Sequence, residues 1–187
     1  MQTVETFRSE RLAAERLNPD HLGELFRMNQ DPKVMATLGG VRPDEETERY
    51  LRDNLEHWER YNFGIWAFRD RTDGSFVARA GLRHTRVGGN DEVELAYALR
   101  SEYWGRGLAT ELAEAAVAVG FERLGLEDVV AFTLPTNRGS WRVMEKTGFE
   151  YERDVVHAGL PHVLYRITAS GWKRDSRRRS GIQREEK

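Results

Sequence analysis

The stretch of sequence that decides the fold reads Tyr103-Trp104-Gly105-Arg106-Gly107-Leu108-Ala109-Thr110-Glu111. An alternating apolar segment, 93–99, precedes it, and a helical pattern from Leu108 to Leu124 follows it. The first N–H groups of a helix have no partner inside the helix, and the helix dipole is positive there. Glycines just before the helix allow successive amides to point at one ligand. The stretch therefore predicts a phosphate or pyrophosphate site.

Two common phosphate-binding loops do not fit this stretch. A P-loop requires Gly-Lys-Ser/Thr after its second glycine, and that sequence is missing here. A dinucleotide fingerprint requires a third glycine at the position that Thr110 occupies. A plain strand-to-helix turn, in which the glycines serve only the backbone geometry, is the alternative that the loop by itself leaves open.

A second motif, in the next quarter of the chain, reads Asn137-Arg138-Gly139-Ser140-Trp141-Arg142-Val143-Met144-Glu145-Lys146-Thr147-Gly148-Phe149. With the first stretch, in this order, it resembles the GNAT superfamily of N-acetyltransferases. The stretch 104–109 resembles the acyl-CoA loop of that superfamily, Gln/Arg-x-x-Gly-x-Gly/Ala, with Trp104 in place of the Gln/Arg. The resemblance covers residues 8 to about 170 and is nearest to the RimJ/RimL branch, which acetylates the N-termini of ribosomal proteins.

The resemblance implies a cosubstrate, acetyl-CoA, and a set of residues that bind it. Backbone amides of the loop would hold the pyrophosphate, which assigns Trp104, Gly105, Arg106, Gly107, Leu108, Ala109 and Thr110 to the site. The side chains of Asn137 and Ser140 would contact the pantetheine arm. A backbone N–H near Tyr97 or Leu99 would polarise the thioester carbonyl.

The hydrophobic pattern predicts the order of elements along the chain. We expect strands at 10–17, 64–70, 76–85, 92–99, 127–134, 149–156 and 162–169. We expect helices after Asn18-Pro19, from near Pro43, over 108–124 and over 138–147, with Asp31-Pro32 ending the first. This order predicts an α/β (α+β) fold with a mixed sheet of six to seven strands and helices on both faces, which is also the GNAT order.

Composition predicts one domain, residues 1–170, followed by a basic tail, 171–187. The 187 residues suffice for one core, and 32% of them are charged. The tail has seven basic and three acidic residues, a composition that fits either a solvated terminus or a weak contact with RNA. We therefore expect no specific nucleic-acid partner, and either a monomer or a homodimer.

The residue types that are missing also restrict the chemistry. The chain contains no cysteine, which excludes disulfides, cysteine zinc sites and a cysteine acyl-enzyme, and so favours direct acetyl transfer. The five histidines show no helical i, i+4 pair, so we expect no metal. No apolar run is long enough to span a membrane and the N-terminus has no apolar leader, so we expect a cytoplasmic protein with no membrane partner.

Glu94 is the candidate general base. In a strand its side chain lies on one face with Ala96 and Ala98, where it can border a narrow groove for the pantetheine arm. Some members of the superfamily have a catalytic glutamate at the matching strand position. The alternatives are a solvent-exposed Glu94 or one paired with an arginine, with a chain of water molecules as the base.

Ser140 is the candidate general acid. Many members of the superfamily have a tyrosine where Met144 stands here, and a thioether cannot donate a proton. Ser140 lies one turn after Asn137, so both side chains can face the same way. For both residues the alternative is capping of the helix that begins there.

The favoured function is acetyl transfer to the N-terminal amine of a protein. Such an amine has a pKa of about 8, so it asks less of a base than a lysine amine at about 10. Acetylation of a small amine and a CoA-binding regulatory module without catalysis are the alternatives. A closed pocket would favour a small acceptor, and an open groove between 31–43 and 157–162 would favour a peptide.

Overall fold

The computed structural model describes residues 3–173, which form one sheet with helices on both faces. The strands are β1 (Thr6–Arg8), β2 (Leu12–Arg16), β3 (Ile65–Asp70), β4 (Phe76–Val87), β5 (Asn90–Leu99), β6 (Asp128–Thr133), β7 (Glu150–His157) and β8 (Leu160–Thr168). The α-helices are α1 (Leu22–Asn29), α2 (Pro32–Met35), α3 (Asp44–Tyr61), α4 (Leu108–Ala118) and α5 (Arg138–Thr147). The predicted α/β fold class is confirmed, with eight strands where six or seven were expected.

The sheet has the order β1-β2-β3-β4-β5-β6-β8-β7. Strands β1 to β5 form an antiparallel meander. Strand β6 lies parallel to β5, β8 pairs antiparallel with β6, and β7 pairs antiparallel with β8 at the edge of the sheet. The crossover through α4 is the one that a parallel neighbour requires.

Two apolar cores cover the two faces. On one face α4 and α5 pack through residues such as Leu112 and Met144 against the even-numbered side chains of β4, including Leu82. On the other face α1, α2 and α3 pack against Ile65, Ala67 and Ala98. Since strand side chains alternate between faces, Ala96 and Glu94 lie on the α3 face with Ala98.

Strands β5 and β6 separate after a single register pair. They are in register only at Glu94 and Val130, although β5 continues to Leu99 and β6 to Thr133. Beyond that pair the sheet is open between two strands that are each bonded to a neighbour on their other side. The opening joins the two faces of the molecule.

The structure differs from the predicted elements in three places. Strand β1 was not expected, because three residues are too few to show alternation; its place is fixed by pairing with β2 and by Phe7 packing edge-on against Trp66. Asp31-Pro32 follows the end of α1 as predicted, but it also caps and begins the short helix α2. The helix after the loop leaves α-geometry at Val119 and ends in a π-helical turn.

Two predictions concern regions that the structure covers in part. The proposed domain boundary at 170 lies within the described residues, in a helical stretch at 169–173, whereas residues 174–187 of the basic tail lie outside them. The division into a domain and a tail stays a prediction. Among residues 3–173, no helix is both long and apolar enough to cross a membrane.

Gly81 of β4 packs directly against the backbone at the start of β3. A Cβ on Gly81 would collide with the carbonyl oxygen of Gly64 and lie 2.7 Å from the Cα of Ile65, both backbone atoms that cannot rotate away. We predict that Gly81→Ala lowers the free energy of unfolding by about 3 kcal/mol, measured by urea denaturation. Gly23→Ala, in α1 with no atom closer than 4.0 Å, is the control and should raise it by up to about 1 kcal/mol. Equal effects of the two substitutions would contradict this packing.

Candidate active site

A cavity of about 780 Å³ lies where β5 and β6 separate. Its lining comes from both faces of the sheet, with Leu108 and Ser140 on the α4–α5 side and Val34 and Tyr50 on the α1–α3 side. It therefore crosses the sheet, and two molecules can enter it from opposite faces and meet between the strands.

The glycine-rich loop lies at the α4 end of this cavity. Gly105 and Gly107 have φ angles of 75° and 77°, which side chains rarely adopt, so both positions require glycine. No side chain caps α4, which leaves its first N–H groups for an anion. Five of the seven predicted loop residues line the cavity, namely Trp104, Gly105, Gly107, Leu108 and Ala109.

Two predicted loop residues do not line the cavity. The carbonyl of Arg106 accepts a hydrogen bond from Arg11 at 2.9 Å, and the Arg106 guanidinium lies over the ring of Tyr103, 5.4 Å from its centre. Thr110 lies within the first turn of α4. Arg106 forms part of the turn itself, between two glycines of positive φ.

The loop is fixed from behind by one glutamate of α4. Glu111 accepts hydrogen bonds from the Nε of Arg11, the N–H of Arg11 and the hydroxyl of Ser9, each at 2.7 Å. Burial favours a higher pKa for Glu111, but these bonds together hold its pKa below the ordinary value. The carboxylate thus ties the start of α4 to the hairpin of β1 and β2.

Trp104 closes the gap between the loop and β5. Its indole N–H donates to the carbonyl of Leu99 at 3.1 Å, while half of its surface stays exposed. The residue that departs from the acyl-CoA loop pattern therefore covers one wall of the cavity and satisfies a carbonyl at the open edge of β5.

The backbone of β5 presents free donors toward the opening. The N–H of Arg100 donates to the carbonyl of Val77 in β4 at 2.9 Å, and such bonded positions alternate along an antiparallel ladder. Ala98 therefore bonds to β4 as well, whereas the N–H groups of Tyr97 and Leu99 point away from β4. They face the place where β6 has separated, which is the arrangement that an oxyanion site needs.

Tyr97 and Ser140 form a hydroxyl pair across the cavity wall. The two oxygens lie 2.6 Å apart, and either can be the donor. Burial raises the pKa of Tyr97 to about 12, although the bond to Ser140 acts in the opposite direction. Sequence reasoning assigned Tyr97 to the site only for its backbone; that its hydroxyl reaches α5 depends on the packing of that helix.

The side chain of Asn137 forms hydrogen bonds with other residues of the protein. Its side-chain oxygen accepts from the N–H of Ser140 at 3.2 Å and so caps α5. Its side-chain nitrogen donates to the hydroxyls of Thr133 at 3.0 Å and Thr37 at 3.2 Å. Asn137 lines the cavity, but it acts here as a helix cap that also holds the segment around Thr37 against β6.

Glu94 is buried and paired. Only 5% of its surface is exposed, and its Oε2 accepts from the Nε of Arg83 at 3.1 Å. The charge of Glu94 raises the pKa of Arg83 above its ordinary value. No donor among residues 3–173 bonds Oε1, so one oxygen on the cavity wall is available to a ligand.

Sequence reasoning missed a group of cations on the α3 side of the cavity. Arg79 and Arg83 lie on the same face of β4 as Gly81 and line the cavity. Tyr50 of α3 and Arg42, which precedes α3, also line it. Two arginines four residues apart in the otherwise apolar stretch 76–83 were the available signal, because such a stretch is typical of a strand buried on both faces. The described residues contain no cluster of three or more metal-ligating side chains.

Comparison with known proteins bears on both the fold and the cavity. A family model described as "Acetyltransferase (GNAT) domain" matches residues 11–150. The protein YkkB of Bacillus subtilis is 27% identical over 135 residues, which cover 72% of this chain and 78% of YkkB. An FsC-acetyl coenzyme A-N(2)-transacetylase of Aspergillus fumigatus is 27% identical and covers 90% of this chain, with 78% of its own length covered.

Solved structures share the fold along nearly their whole length. A GNAT-family acetyltransferase from Bordetella pertussis superposes with a TM-score of 0.77 at 26% identity, covering 87% of this chain and 99% of its own. Two Vibrio cholerae structures, described as a ribosomal-protein-serine acetyltransferase and a spermidine N-acetyltransferase, have TM-scores of 0.72 and 0.70. They are 16% and 15% identical, cover 90% and 87% of this chain and 99% and 98% of their own, and indicate the fold alone.

The hydrogen bonds of Glu111 to Arg11 and Ser9 behind the loop predict that loss of the Glu111 charge weakens the binding of acetyl-CoA. Glu111→Gln keeps the shape of the side chain and removes its charge, so the Arg11 and Ser9 bonds weaken and the loop loses its fixed position. We expect the dissociation constant for acetyl-CoA to rise roughly tenfold, measured by isothermal titration calorimetry. Glu48→Gln, at an exposed position of α3, is the control. Unchanged affinity of Glu111→Gln for acetyl-CoA would show that the binding loop does not depend on the bonds of Glu111 to Arg11 and Ser9.

Proposed function

The chain belongs to the GNAT acetyltransferase family, and from that premise we propose that it acetylates a small primary amine, with Glu94 as base and the Tyr97–Ser140 pair at the leaving sulfur. It is an acetyl-CoA-dependent N-acetyltransferase. The observation that carries the proposal is the cavity through the sheet, because this one space contains the uncapped start of α4, the free carboxylate oxygen and the hydroxyl pair.

The residues of the cavity fit the parts of acetyl-CoA. The start of α4 offers N–H groups and a positive dipole to the diphosphate. The unpaired edge of β5 offers the N–H groups of Tyr97 and Leu99 to the arm and to the thioester oxygen. When bound, acetyl-CoA would supply the acetyl group, and CoA would leave as the thiolate.

Glu94 removes the proton that the amine loses on acetylation. As the N–C bond forms, that proton passes to Oε1 directly or through water, and Arg83 keeps the carboxylate in place through Oε2. The N–H groups of β5 stabilise the negative charge that develops on the carbonyl oxygen.

The hydroxyl pair stabilises the sulfur as the C–S bond breaks. With its pKa raised to about 12, Tyr97 stays protonated at any working pH. A thiol has a pKa of about 8.5, so full transfer of the Tyr97 proton to the thiolate is unfavourable. The pair therefore donates a hydrogen bond, and the thiolate takes its proton later from solvent.

The lining of the acceptor side supports a small amine over a protein N-terminus. The segment 33–38 and Arg42 line the cavity, as a peptide groove would require, but residues 157–162 do not. His157 and His162 instead pack against Phe132, with ring centres at 4.8 and 5.6 Å. The inner wall on the α3 side is closed by Tyr50 and Arg79, both at least nine-tenths buried.

The direct test is thiol release from acetyl-CoA with a panel of acceptors: amino acids, polyamines, aminoglycosides, and peptides with free N-termini. The proposal predicts turnover with small amines and at most traces with peptides longer than two residues. Turnover confined to peptide N-termini would restore the ribosomal-protein type of acceptor. Acetyl-CoA binding without turnover on any acceptor would favour a regulatory module and contradict the proposal.

The role of Glu94 predicts a kinetic defect without a binding defect. Glu94→Gln should lower kcat by about 10²- to 10⁴-fold, because the amide cannot accept the amine proton. The dissociation constant for acetyl-CoA should stay within about twofold, since the diphosphate contacts lie elsewhere. Glu92→Gln, on the same face of β5 but bonded to Arg166, is the control. A near-normal kcat in Glu94→Gln would remove this residue from the mechanism.

The hydroxyl pair predicts non-additive defects. Tyr97→Phe and Ser140→Ala should each lower kcat by about tenfold or more, with KM for acetyl-CoA little changed, because each removes stabilisation of the leaving sulfur. The double variant should be scarcely worse than the poorer single one, since the two hydroxyls act through one bond. Tyr151→Phe, at an exposed tyrosine, is the control. Fully additive losses would indicate independent roles.

A further inference from the structure

The acceptor side of the cavity has an excess of buried positive charge. Arg79 is 6% exposed, its Nη1 donates to the hydroxyl of Tyr50 at 2.6 Å, and its guanidinium lies 4.3 Å from the centre of that ring. Arg42 lies over the same ring at 5.7 Å. Arg83 completes the group, which we call the arginine cluster: Arg42, Arg79 and Arg83 around Tyr50.

The cluster is not neutralised within the protein. Glu94 pairs with Arg83, but among residues 3–173 no carboxylate forms an ion pair with Arg42 or Arg79. The Nε of Arg79 is buried and has no hydrogen-bond partner in that part of the chain. Glu46 of α3 interacts with Arg42 electrostatically, but the two side chains form no ion pair.

Such an arrangement is costly without a ligand. A buried charge with an unused donor loses hydration that nothing in the protein replaces. Burial, and next to it the charge of Arg79, lowers the pKa of Arg42. An anion beside the two guanidinium groups would neutralise their uncompensated charge and offset their mutual repulsion, through the charge-assisted bonds that arginine forms with carboxylate or phosphate.

The position of the cluster separates it from the diphosphate of acetyl-CoA. Arg79 pairs in register with Ala98, whose side chain lies in the α3-side core. The glycine-rich loop and α4 lie on the opposite face, against Leu82 and its neighbours. The loop offers its own donors to the diphosphate, so the cluster is left facing the acceptor.

We propose that the acceptor amine also carries an acidic group, a carboxylate or a phosphate, which binds between Arg79 and Arg42. This inference rests on the proposed function and specifies its substrate class. Arg83 stays with Glu94, so the two unpaired arginines hold the acid while the carboxylate of Glu94 receives the amine proton. The amine and the acid of one small molecule thus reach complementary groups on one wall of the cavity.

Matched acceptors test the charge requirement. We would compare each α-amino acid with its α-carboxamide, phosphoethanolamine with ethanolamine, and add spermidine and an N-terminal peptide. The acidic member of a productive pair should have at least tenfold higher kcat/KM than its neutral partner, and the phosphate pair shows which acid is preferred. Equal or better turnover of the neutral members, or turnover of spermidine or the peptide alone, would overturn the inference and leave acetyl transfer intact. No turnover with any acceptor would instead contradict the proposed function.

Charge removal in the protein gives the second test. Arg79→Met should raise KM for the acidic acceptor at least tenfold and abolish the preference over its neutral partner, while KM for acetyl-CoA stays unchanged. Arg42→Met, at a less buried position, should do the same to a smaller extent and serves if Arg79→Met does not fold. Arg86→Met, on the exposed end of β4, is the control. Retention of the preference in folded Arg79→Met and Arg42→Met would overturn the inference.

A binding measurement makes the test independent of turnover. With CoA bound, N-acetylglycine should raise the melting temperature of the wild-type protein, and N-acetylglycinamide, which lacks the acid, should not. The shift should disappear in Arg79→Met and persist in Arg86→Met. Equal shifts with both compounds would contradict an anion site.

Discussion

The separation of β5 from β6 is the constraint on which the rest of the structure depends. An eight-stranded sheet covered on both faces would otherwise be closed, and neither face could reach the other. Because the two strands share only the Glu94–Val130 pair, the backbone of β5 beyond that point lacks one set of partners. The protein compensates locally: Trp104 satisfies the carbonyl of Leu99, and the remaining donors face a cavity where a ligand can use them.

The open sheet explains the different character of the two faces. The α4–α5 face supplies helix N–H groups and the Tyr97–Ser140 hydroxyls, together with the side chain of Arg138 at the start of α5. The α1–α3 face supplies charge, with one carboxylate and the arginine cluster. Asn137 connects the two, since it caps α5 and bonds Thr37 in the segment that leads to Arg42.

Features fixed by local sequence were predictable, and features fixed by packing were not. The loop, α4, α5 and seven of the strands follow from glycine positions, caps and alternation, all of which act over a few residues. Glu94 was found because alternation places it beside Ala96 and Ala98. Its arginine partner was foreseen only as an alternative, since register between β4 and β5 decides which residue faces it.

The contact of the arginine cluster with Tyr50 and the Tyr97–Ser140 bond could not be predicted from the sequence, for a common reason. Both depend on how a helix packs against the sheet: α3 places Tyr50 against Arg79, and α5 places Ser140 against Tyr97. Arg106 is a different case: its place in the motif predicts a role in the loop site, and the structure adds that its carbonyl accepts a hydrogen bond from Arg11 and that it does not line the cavity. The partners are 29 residues apart in the Tyr50–Arg79 contact and 43 residues apart in the Tyr97–Ser140 contact.

Amide hydrogen exchange along β5, read residue by residue by NMR, tests most directly whether the open sheet edge binds acetyl-CoA. In the free protein the amides of Ala96 and Ala98, which bond to β4, should exchange slowly, and those of Tyr97 and Leu99 should exchange fast. On addition of acetyl-CoA, Tyr97 and Leu99 should become protected while Ala96 and Ala98 change little. Unchanged exchange at Tyr97 and Leu99 in the bound state, or equal protection of all four amides without ligand, would contradict this account.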